Sequence, residues 1–158
     1  MGFFRKKEKE MNGFLRIQSL KPDYVDPEAF TEIAETIIKA YLSAVYSQEK
    51  ERIPMKKMEE NFYYRTAALI DADRARGKRA AESLEILSLQ LSETDIRQQY
   101  AIKSVSYDVL FSVSGLLKTK ENGEMPYEDQ RLGIFTFLND KKLGWILSGH
   151  EDYGRRPN

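Results

Sequence analysis

The spacing of apolar residues changes once along this chain, from the period of a helix to the period of a strand. Up to about residue 77 apolar positions recur every three or four residues, and after about residue 83 they alternate with polar ones. The first period is typical of an amphipathic helix and the second of a half-buried strand. Helices followed by a run of antiparallel strands predict an α+β domain, with the helices packed on one face of a curved sheet of about four strands.

The first helix is predicted over residues 27–46. Asp26 is a suitable N-cap, and Pro27 suits the first helical position. The apolar residues that follow repeat at helical spacing and form one wide stripe: Phe30, Ile33, Ala34, Ile37, Ile38, Tyr41, Leu42 and Val45. A stripe of this width predicts a helix with one face buried in the core.

A second helix is predicted to start at Pro54 and to end at Gly77, which would supply a left-handed C-cap. Helical spacing is kept by Met55, Met58, Phe62, Thr66, Leu69 and Ile70. A basic cluster surrounds the predicted end of this helix: Arg74, Arg76, Lys78 and Arg79. We interpret the cluster as stabilising the negative end of the helix dipole rather than as a phosphate site.

The strand region divides at several turn signals. A slip in the alternation between Ile86 and Leu87 predicts a bulge, and residues 92–95 predict a turn. A long strand is expected over residues 101–115, a hairpin at Asn122-Gly123, a return strand over residues 130–138, a turn at residues 140–142 and a last strand over residues 143–147. We expect a flexible leader (residues 1–21), one α+β domain (residues 22–153) and a disordered tail (residues 154–158).

The composition narrows the function classes. Lys plus Arg and Asp plus Glu both number 25, so the chain lacks the basic excess of most nucleic-acid-binding proteins. Cysteine is absent, which excludes disulfides, thiolate metal sites and a cysteine nucleophile. No spacing typical of a metal site or a phosphate loop is present, so we predict neither a metal nor a cofactor.

The amino-terminal leader allows two interpretations. It is a flexible tail, or it is an amphipathic segment in which Phe3 and Phe4 insert at a membrane surface while Arg5, Lys6 and Lys7 meet anionic lipid. No apolar run approaches the roughly 18 residues that span a bilayer. We therefore expect a cytoplasmic protein, with membrane association through the leader as the open alternative.

The order of elements resembles the nuclear transport factor two-like cone fold. The pieces that carry the resemblance are a helix ending in Arg76-Gly77, strands over residues 83–91 and 101–115, the hairpin at residues 121–124, and the segments Ile134-Phe135-Thr136-Phe137 and Gly144-Trp145-Ile146-Leu147. This order is similar to that in the motor anchor of the mitochondrial inner-membrane protein translocase and its bacterial relatives. The same fold occurs in periplasmic assembly domains of type IV secretion and conjugation systems.

The resemblance implies a concave sheet with a pocket between the sheet and the helices. Relatives use that pocket for catalysis, for holding a ligand or only as a filled core, and the outer sheet face often makes dimers. Fold alone does not choose among these uses.

Three residues are the candidates for chemistry in such a pocket: Asp108, Tyr107 and His150. In isomerases and dehydratases of this fold, a partly buried carboxylate and tyrosines move protons on a small hydrophobic substrate. The serines on either side of Asp108 instead indicate a solvated face, and His150 is interpreted as a surface or rim histidine. No catalytic role is therefore assigned.

The leading hypothesis is a non-enzymatic binding or scaffold module. It would form a homo-oligomer through its exposed sheet face, or join a membrane-proximal protein assembly such as a secretion or conjugation system. The strands over residues 132–147 are apolar at both parities, which suggests burial on two faces. The predicted contact residues are Tyr100, Ile102, Phe135, Phe137 and Trp145. The alternative is a small-molecule enzyme or ligand carrier that uses the pocket.

Overall fold

The computed structural model describes residues 27–97, 101–121, 123–140 and 143–155. Two helices precede four strands, with two short 3-10 helices (Lys50–Arg52 and Met55–Lys57) between the helices. The elements are α1 (Pro27–Ser47), α2 (Glu60–Arg76), β1 (Lys78–Arg97), β2 (Ala101–Thr119), β3 (Gly123–Asp140) and β4 (Gly144–Arg155). The predicted α+β class is confirmed.

Helix α1 follows its predicted stripe closely. Six of the stripe residues are buried: Phe30, Ala34, Ile37, Ile38, Tyr41 and Leu42. Ile33 departs from the prediction, because 45% of its surface is exposed. The buried face of α1 is therefore slightly narrower than the sequence stripe.

The second helix begins later than predicted. Pro54 leads only into the 3-10 turn, and Met58 then adopts an extended conformation and pairs with Leu147 of β4 in a parallel bridge. The Glu59 N–H donates to the Leu147 carbonyl at 2.8 Å, and the Glu59 carboxylate accepts from the N–H groups of Asn61 and Phe62. Glu59 thus both anchors α2 to the sheet and caps it.

The end of α2 also differs from the prediction. Gly77 has a φ of 173°, which is extended backbone and not the left-handed conformation expected of it. The chain therefore continues straight into β1 at Lys78. Two residues on, the Arg79 guanidinium donates to the carbonyls of Tyr46 and Val45 at 3.1 and 3.2 Å, respectively. Arg79 thus satisfies the last carbonyls of α1, a role different from the one assigned from the sequence.

Gln48 connects the end of α1 to the start of β1. Its side chain is buried, with Oε1 accepting from the Arg79 N–H at 2.8 Å and Nε2 donating to the Gly77 carbonyl at 3.1 Å. Its φ of 55° lies in the left-handed region and turns the chain sharply after α1. This residue holds the helix layer against the first strand.

The four strands form one antiparallel sheet in the order β1-β2-β3-β4. The predicted bulge is confirmed, because the pairing of β1 with β2 shifts between Ile86 and Ser88. The turn predicted over residues 92–95 is wrong: β1 continues to Arg97, and Thr94 pairs with Val105 across the ladder. Irregular register near these positions replaces the turn.

The two later hairpins lie where the sequence placed them. Thr119 pairs with Gly123, whose φ is 67°, and Asp140 pairs with Gly144, whose φ is 80°. Glycine suits both positions because it adopts positive φ without steric cost. The last strand, however, runs on to Arg155, so the sheet includes Gly154 and Arg155, which had been assigned to a disordered tail.

The core lies between α1 and one face of the sheet, which we call the inner face. Its side chains come from alternate positions of each strand, such as Val105, Tyr107, Val109 and Phe111 of β2. The ring of Phe30 is within 5.3 Å of the rings of both Phe137 and Trp145, measured between centroids. Aromatic side chains thus fill the middle of the space between helix and sheet.

Candidate functional site

Three of the predicted contact residues belong to the core. Phe135 and Phe137 are fully buried and Trp145 is 8% exposed, all on the inner face beneath the helices. Their prediction as an exposed interface is wrong, because their parity directs them toward α1. Tyr100 and the side chain of Ile102 lie outside the described residues.

The structure separates Asp108 from Tyr107. Tyr107 is 2% exposed and lies on the inner face within the aromatic core. Asp108 lies on the opposite, outer face, where it pairs with Gln90 on one side and Ile134 on the other. Neighbouring strand residues point to opposite faces, so the two side chains do not act on one ligand. The polar face inferred from the serines around Asp108 is the outer face.

His150 lies on the inner face, which corrects its interpretation as a surface histidine. Its Nδ1 is 3.1 Å from the Tyr41 hydroxyl, and its ring stacks on Phe135 with centroids 4.2 Å apart. Gly133 makes room for the ring, because a Cβ at that position would lie 2.8 Å from His150 Nε2. The histidine is thus held by a hydrogen bond, a stacked ring and a glycine.

Burial controls the protonation of this pair. It lowers the pKa of His150 to about 4, with Arg131 lowering it further and Asp152 partly opposing the shift. It also raises the pKa of Tyr41 well above its usual value, although a hydrogen bond from the Thr66 side chain opposes this. At neutral pH the imidazole is therefore uncharged and the Tyr41 hydroxyl stays protonated.

A charged group lies beside His150 on the same face. Arg131 Nη1 donates to Asp129 Oδ2 at 2.9 Å, and Arg131 Nε and Nη2 each donate to Asp152 Oδ2 at 3.0 Å. Burial raises the pKa of Asp152, but the Gly154 N–H and Arg131 outweigh burial, so that the pKa is lowered. The two carboxylates neutralise the guanidinium. The cluster therefore has little attraction for an anionic ligand.

We call these residues the inner polar cluster: Tyr41, Tyr46, Tyr127, Asp129, Arg131, His150 and Asp152. Burial, opposed by Arg131 and Arg79, raises the pKa of Tyr46 to about 12. Two buried atoms, Tyr127 Oη and His150 Nε2, have no hydrogen-bond partner among the described residues. The cluster can therefore donate to, or accept from, a polar group that enters between α1 and the sheet.

The sequence predictions did not include Tyr127, Asp129 or Arg131. A usable signal was present, because all three share the odd parity of Phe135 and Phe137 along β3. The return strand had been predicted to begin at residue 130, which hid that parity. The longer strand brings them to the inner face.

The outer face of the sheet carries an apolar patch that we call the outer leucine strip: Leu87, Leu110, Leu132 and Ile134. Leu110 pairs directly with Leu132, and Leu87 lies in the β1 bulge beside Leu110. Leu87 is 40% exposed and Leu132 is 38% exposed. The strip adjoins polar residues, because Asp108 and Glu151 flank Ile134 in the ladder.

The described residues offer neither a metal site nor a membrane-spanning helix. The described part of the chain contains no group of three or more acidic or histidine side chains placed to hold a metal ion. None of its helices is both long and apolar enough to cross a bilayer.

Comparison with known proteins shows the fold. No protein-family model matches the chain, and no curated protein matches it in sequence. Among solved structures, it is similar to a nuclear transport factor 2 (NTF2-like) superfamily protein from Salmonella enterica serovar Typhimurium. That likeness has a TM-score of 0.62 at 7% identity, and covers 84% of this chain and 96% of that one.

Two further structures are similar. One is the intermembrane space region of the chloroplast protein ARC6, with a TM-score of 0.54 at 12% identity over 78% of this chain and 96% of that one. The other is the association domain of C. elegans CaMKII, with a TM-score of 0.43 at 10% identity over 78% of this chain and 96% of that one. The chain has an NTF2-like α+β fold.

Proposed function

We propose that this protein is a non-enzymatic association module that binds a second copy of itself through the outer leucine strip. The observation that supports this most directly is the exposed row of apolar side chains on the sheet face opposite the helices. Leu132 and Leu87 remain exposed there, whereas the apolar side chains of β2 and β3 on the inner face, such as Val109 and Phe135, are fully buried. Contiguous exposed apolar residues of this kind mark interaction sites.

The size of the face is suitable for a dimer. The shortest strand, β4, has 12 residues, which is about 40 Å at about 3.3 Å per residue. Four strands about 4.8 Å apart are about 19 Å wide, so the outer face of each copy covers about 750 Å². A stable interface of ordinary size buries about 800 Å² on each partner. Two such faces, related by a two-fold axis, satisfy that requirement.

The direct test compares two double variants by sedimentation velocity over a range of concentrations. Leu110→Ser with Leu132→Ser removes the centre of the strip, and we expect it to be monomeric where the wild type is dimeric. Met55→Ser with Leu69→Ser removes two other exposed apolar side chains, 55% and 48% exposed, from the helical side of the molecule. We expect this control to dimerise like the wild type.

Either of two results would overturn the proposal. One is a wild type that sediments as a monomer throughout, and the other is equal dimerisation of the two double variants. Added salt gives a further check, because Asp108 and Glu151 of the two copies would approach each other beside Ile134. Screening their repulsion should strengthen association.

We also propose that the module works in a membrane-proximal assembly. This rests on the resemblance to the translocase motor anchor and on the leader residues Phe3, Phe4, Arg5, Lys6 and Lys7, which lie outside the described residues. Flotation with anionic vesicles should recover the full chain and lose a form that lacks residues 1–20. Equal recovery of both forms would contradict this role.

A second candidate function is supported by the inner polar cluster. The buried atoms Tyr127 Oη and His150 Nε2 have no hydrogen-bond partner among the described residues, and such groups would pair with the hydroxyl or carbonyl groups of a small neutral ligand. His150 is the only histidine, so its ring signals in an NMR spectrum are unambiguous. A saturable shift of these signals with one of a panel of small hydroxy and keto compounds, reduced in Tyr127→Phe, would support a ligand carrier. A panel without any saturable shift would remove it.

A further inference from the structure

A second polar region lies around Gly77, and no residue of the inner polar cluster lines it. A hollow of about 490 Å³ opens where the end of α2 meets the start of β1 and the end of β2. A neighbouring hollow of about 570 Å³ shares three of its lining residues, Arg74, Lys78 and Lys118. The volumes fall in the range of about 300–1,000 Å³ that is usual for small-molecule sites.

Cationic side chains dominate the first hollow. We call it the basic hollow, after its five basic residues Arg74, Arg76, Lys78, Lys118 and Lys120. A single carboxylate, that of Glu121, lines the same space. This concentration of positive charge is unexpected in a chain whose formal net charge is zero.

The helix dipole explains only part of this charge. Arg74 and Arg76 lie in the last turn of α2, where cations are stabilised by the carbonyl end of the helix. Lys78 belongs to β1, and Lys118 and Lys120 belong to the end of β2 and the turn after it. The basic cluster noticed in the sequence is therefore larger than the dipole requires, because the fold adds two lysines from a distant segment.

The register of the sheet places two of these charges in opposition. Lys78 pairs directly with Lys118 across the antiparallel ladder. Like charges in this position destabilise a sheet. Within the described residues neither lysine forms an ion pair, although Glu124 is the next residue in the row, on the far side of Lys118. An arrangement that costs stability and faces a hollow is better explained by a bound anion than by structure alone.

We propose that the basic hollow binds a soluble ligand that carries several phosphate groups. Arg74 and Arg76 can each offer paired N–H donors to phosphate oxygens, and the three lysines add compact positive charges. Arg76 Nη1 also lies 4.0 Å from Asp73 Oδ1, an exposed contact that a phosphate would compete with. The concave shape favours a small ligand over a flat membrane surface. This inference is independent of dimerisation, because the hollow does not include the outer leucine strip.

Isothermal titration calorimetry of the full chain with sodium tripolyphosphate tests the proposal. We expect saturable binding to the wild type, weakened at least about tenfold in Lys78→Gln with Lys118→Gln, as for the loss of two charge-assisted contacts. The matched control is Lys56→Gln with Lys57→Gln, which removes two exposed lysines of the second 3-10 helix. Its affinity should stay within about twofold of the wild type, because long-range charge effects are screened by salt.

A thermal melt separates lost binding from lost folding. The Lys78→Gln with Lys118→Gln variant should melt at the same temperature as the wild type or higher, because it relieves a like-charge pair. Tripolyphosphate should raise the melting temperature of the wild type and of the lysine control by more than it raises that of this variant.

Three results would overturn the proposal: no binding by the wild type, equal weakening in both double variants, or a melting temperature that tripolyphosphate leaves unchanged in the wild type.

Vesicles test whether the hollow instead binds the phosphate groups of lipid headgroups at a membrane surface. The proposal expects equal flotation of the wild type and of Lys78→Gln with Lys118→Gln on phosphatidylglycerol vesicles. Flotation that depends on these lysines, without tripolyphosphate binding, would assign the hollow to a membrane surface instead.

Discussion

At the scale of single residues, the parity of a strand position decides what its side chain can do. Asp108 and Tyr107 are adjacent in sequence, yet one lies on the outer face and the other is buried in the core. The sequence indicated the polar side of β2 from its serines. It could not place His150, because the last strand was predicted to stop before it and runs past it.

His150 gives the first prediction at this scale. Its pKa should be about 4, measured from the ring signals of this single histidine in an NMR pH titration. Burial disfavours the charged imidazole, so the unfolded chain binds the proton more readily than the folded one. A titration midpoint near 6.5, the ordinary value, would contradict the buried position.

The same shift predicts how stability depends on pH. The contribution of His150 is fully present above about pH 6.5 and is lost as the pH falls toward about 4, a change of about 3 kcal/mol for a shift of this size. Urea unfolding at several pH values should show this loss in the wild type. His150→Gln, which does not titrate, should lack it across the same window; an unchanged slope in that variant would contradict the assignment.

Close packing at Gly115 gives a second prediction. A Cβ there would lie 1.9 Å from the Ala80 carbonyl oxygen, a backbone atom of the neighbouring strand. We expect Gly115→Ala to destabilise the protein by about 3 kcal/mol, because the ladder must shift to accept it. Gly149→Ala is the control, since a Cβ at Gly149 meets no atom within 4 Å. Its free energy of unfolding should change by less than about 0.5 kcal/mol.

At the scale of elements, periodicity located the helices and strands and tertiary contacts set their ends. The amphipathic stripe gave α1 almost completely, and the turn signals at Asn122-Gly123 and at residues 140–142 located both later hairpins. The polar run at residues 92–95 suggested a turn, but pairing with β2 keeps those residues in a strand. Pro54 suggested a helix start, but the bridge from Met58 to β4 delays it. These contacts join residues that are far apart in sequence, so no local sequence pattern predicts them.

Gln48 gives the prediction at this scale, because it ties α1 to β1. Gln48→Ala would leave the Arg79 N–H and the Gly77 carbonyl without their partner. We expect a loss of about 1–3 kcal/mol in the free energy of unfolding, the usual cost of an unsatisfied buried polar group. Gln90→Ala, at an exposed strand position, should change it by less than about 0.5 kcal/mol. Equal effects of the two substitutions would contradict the role of Gln48.

At the scale of the whole molecule, the two faces of one sheet differ in what they present. The inner face is filled by aromatic side chains and ends in the inner polar cluster, and the outer face presents the leucine strip. The sequence showed that both parities of β3 are apolar and so suggested two buried faces. Phe135, Phe137 and Trp145 were predicted to lie on the exposed face but lie on the inner one. Parity alone does not say which face of a sheet the helices cover.

The most direct measurement uses the absence of cysteine, which makes a single introduced one unique. A spin label at Ser112→Cys lies on the outer face, and one at Ala68→Cys lies on α2, on the other side of the sheet. In a dimer joined through the outer faces, pulsed electron paramagnetic resonance should give one narrow intermolecular distance for Ser112→Cys, shorter than that for Ala68→Cys. A shorter distance for Ala68→Cys, or no intermolecular distance for Ser112→Cys, would contradict association through this face.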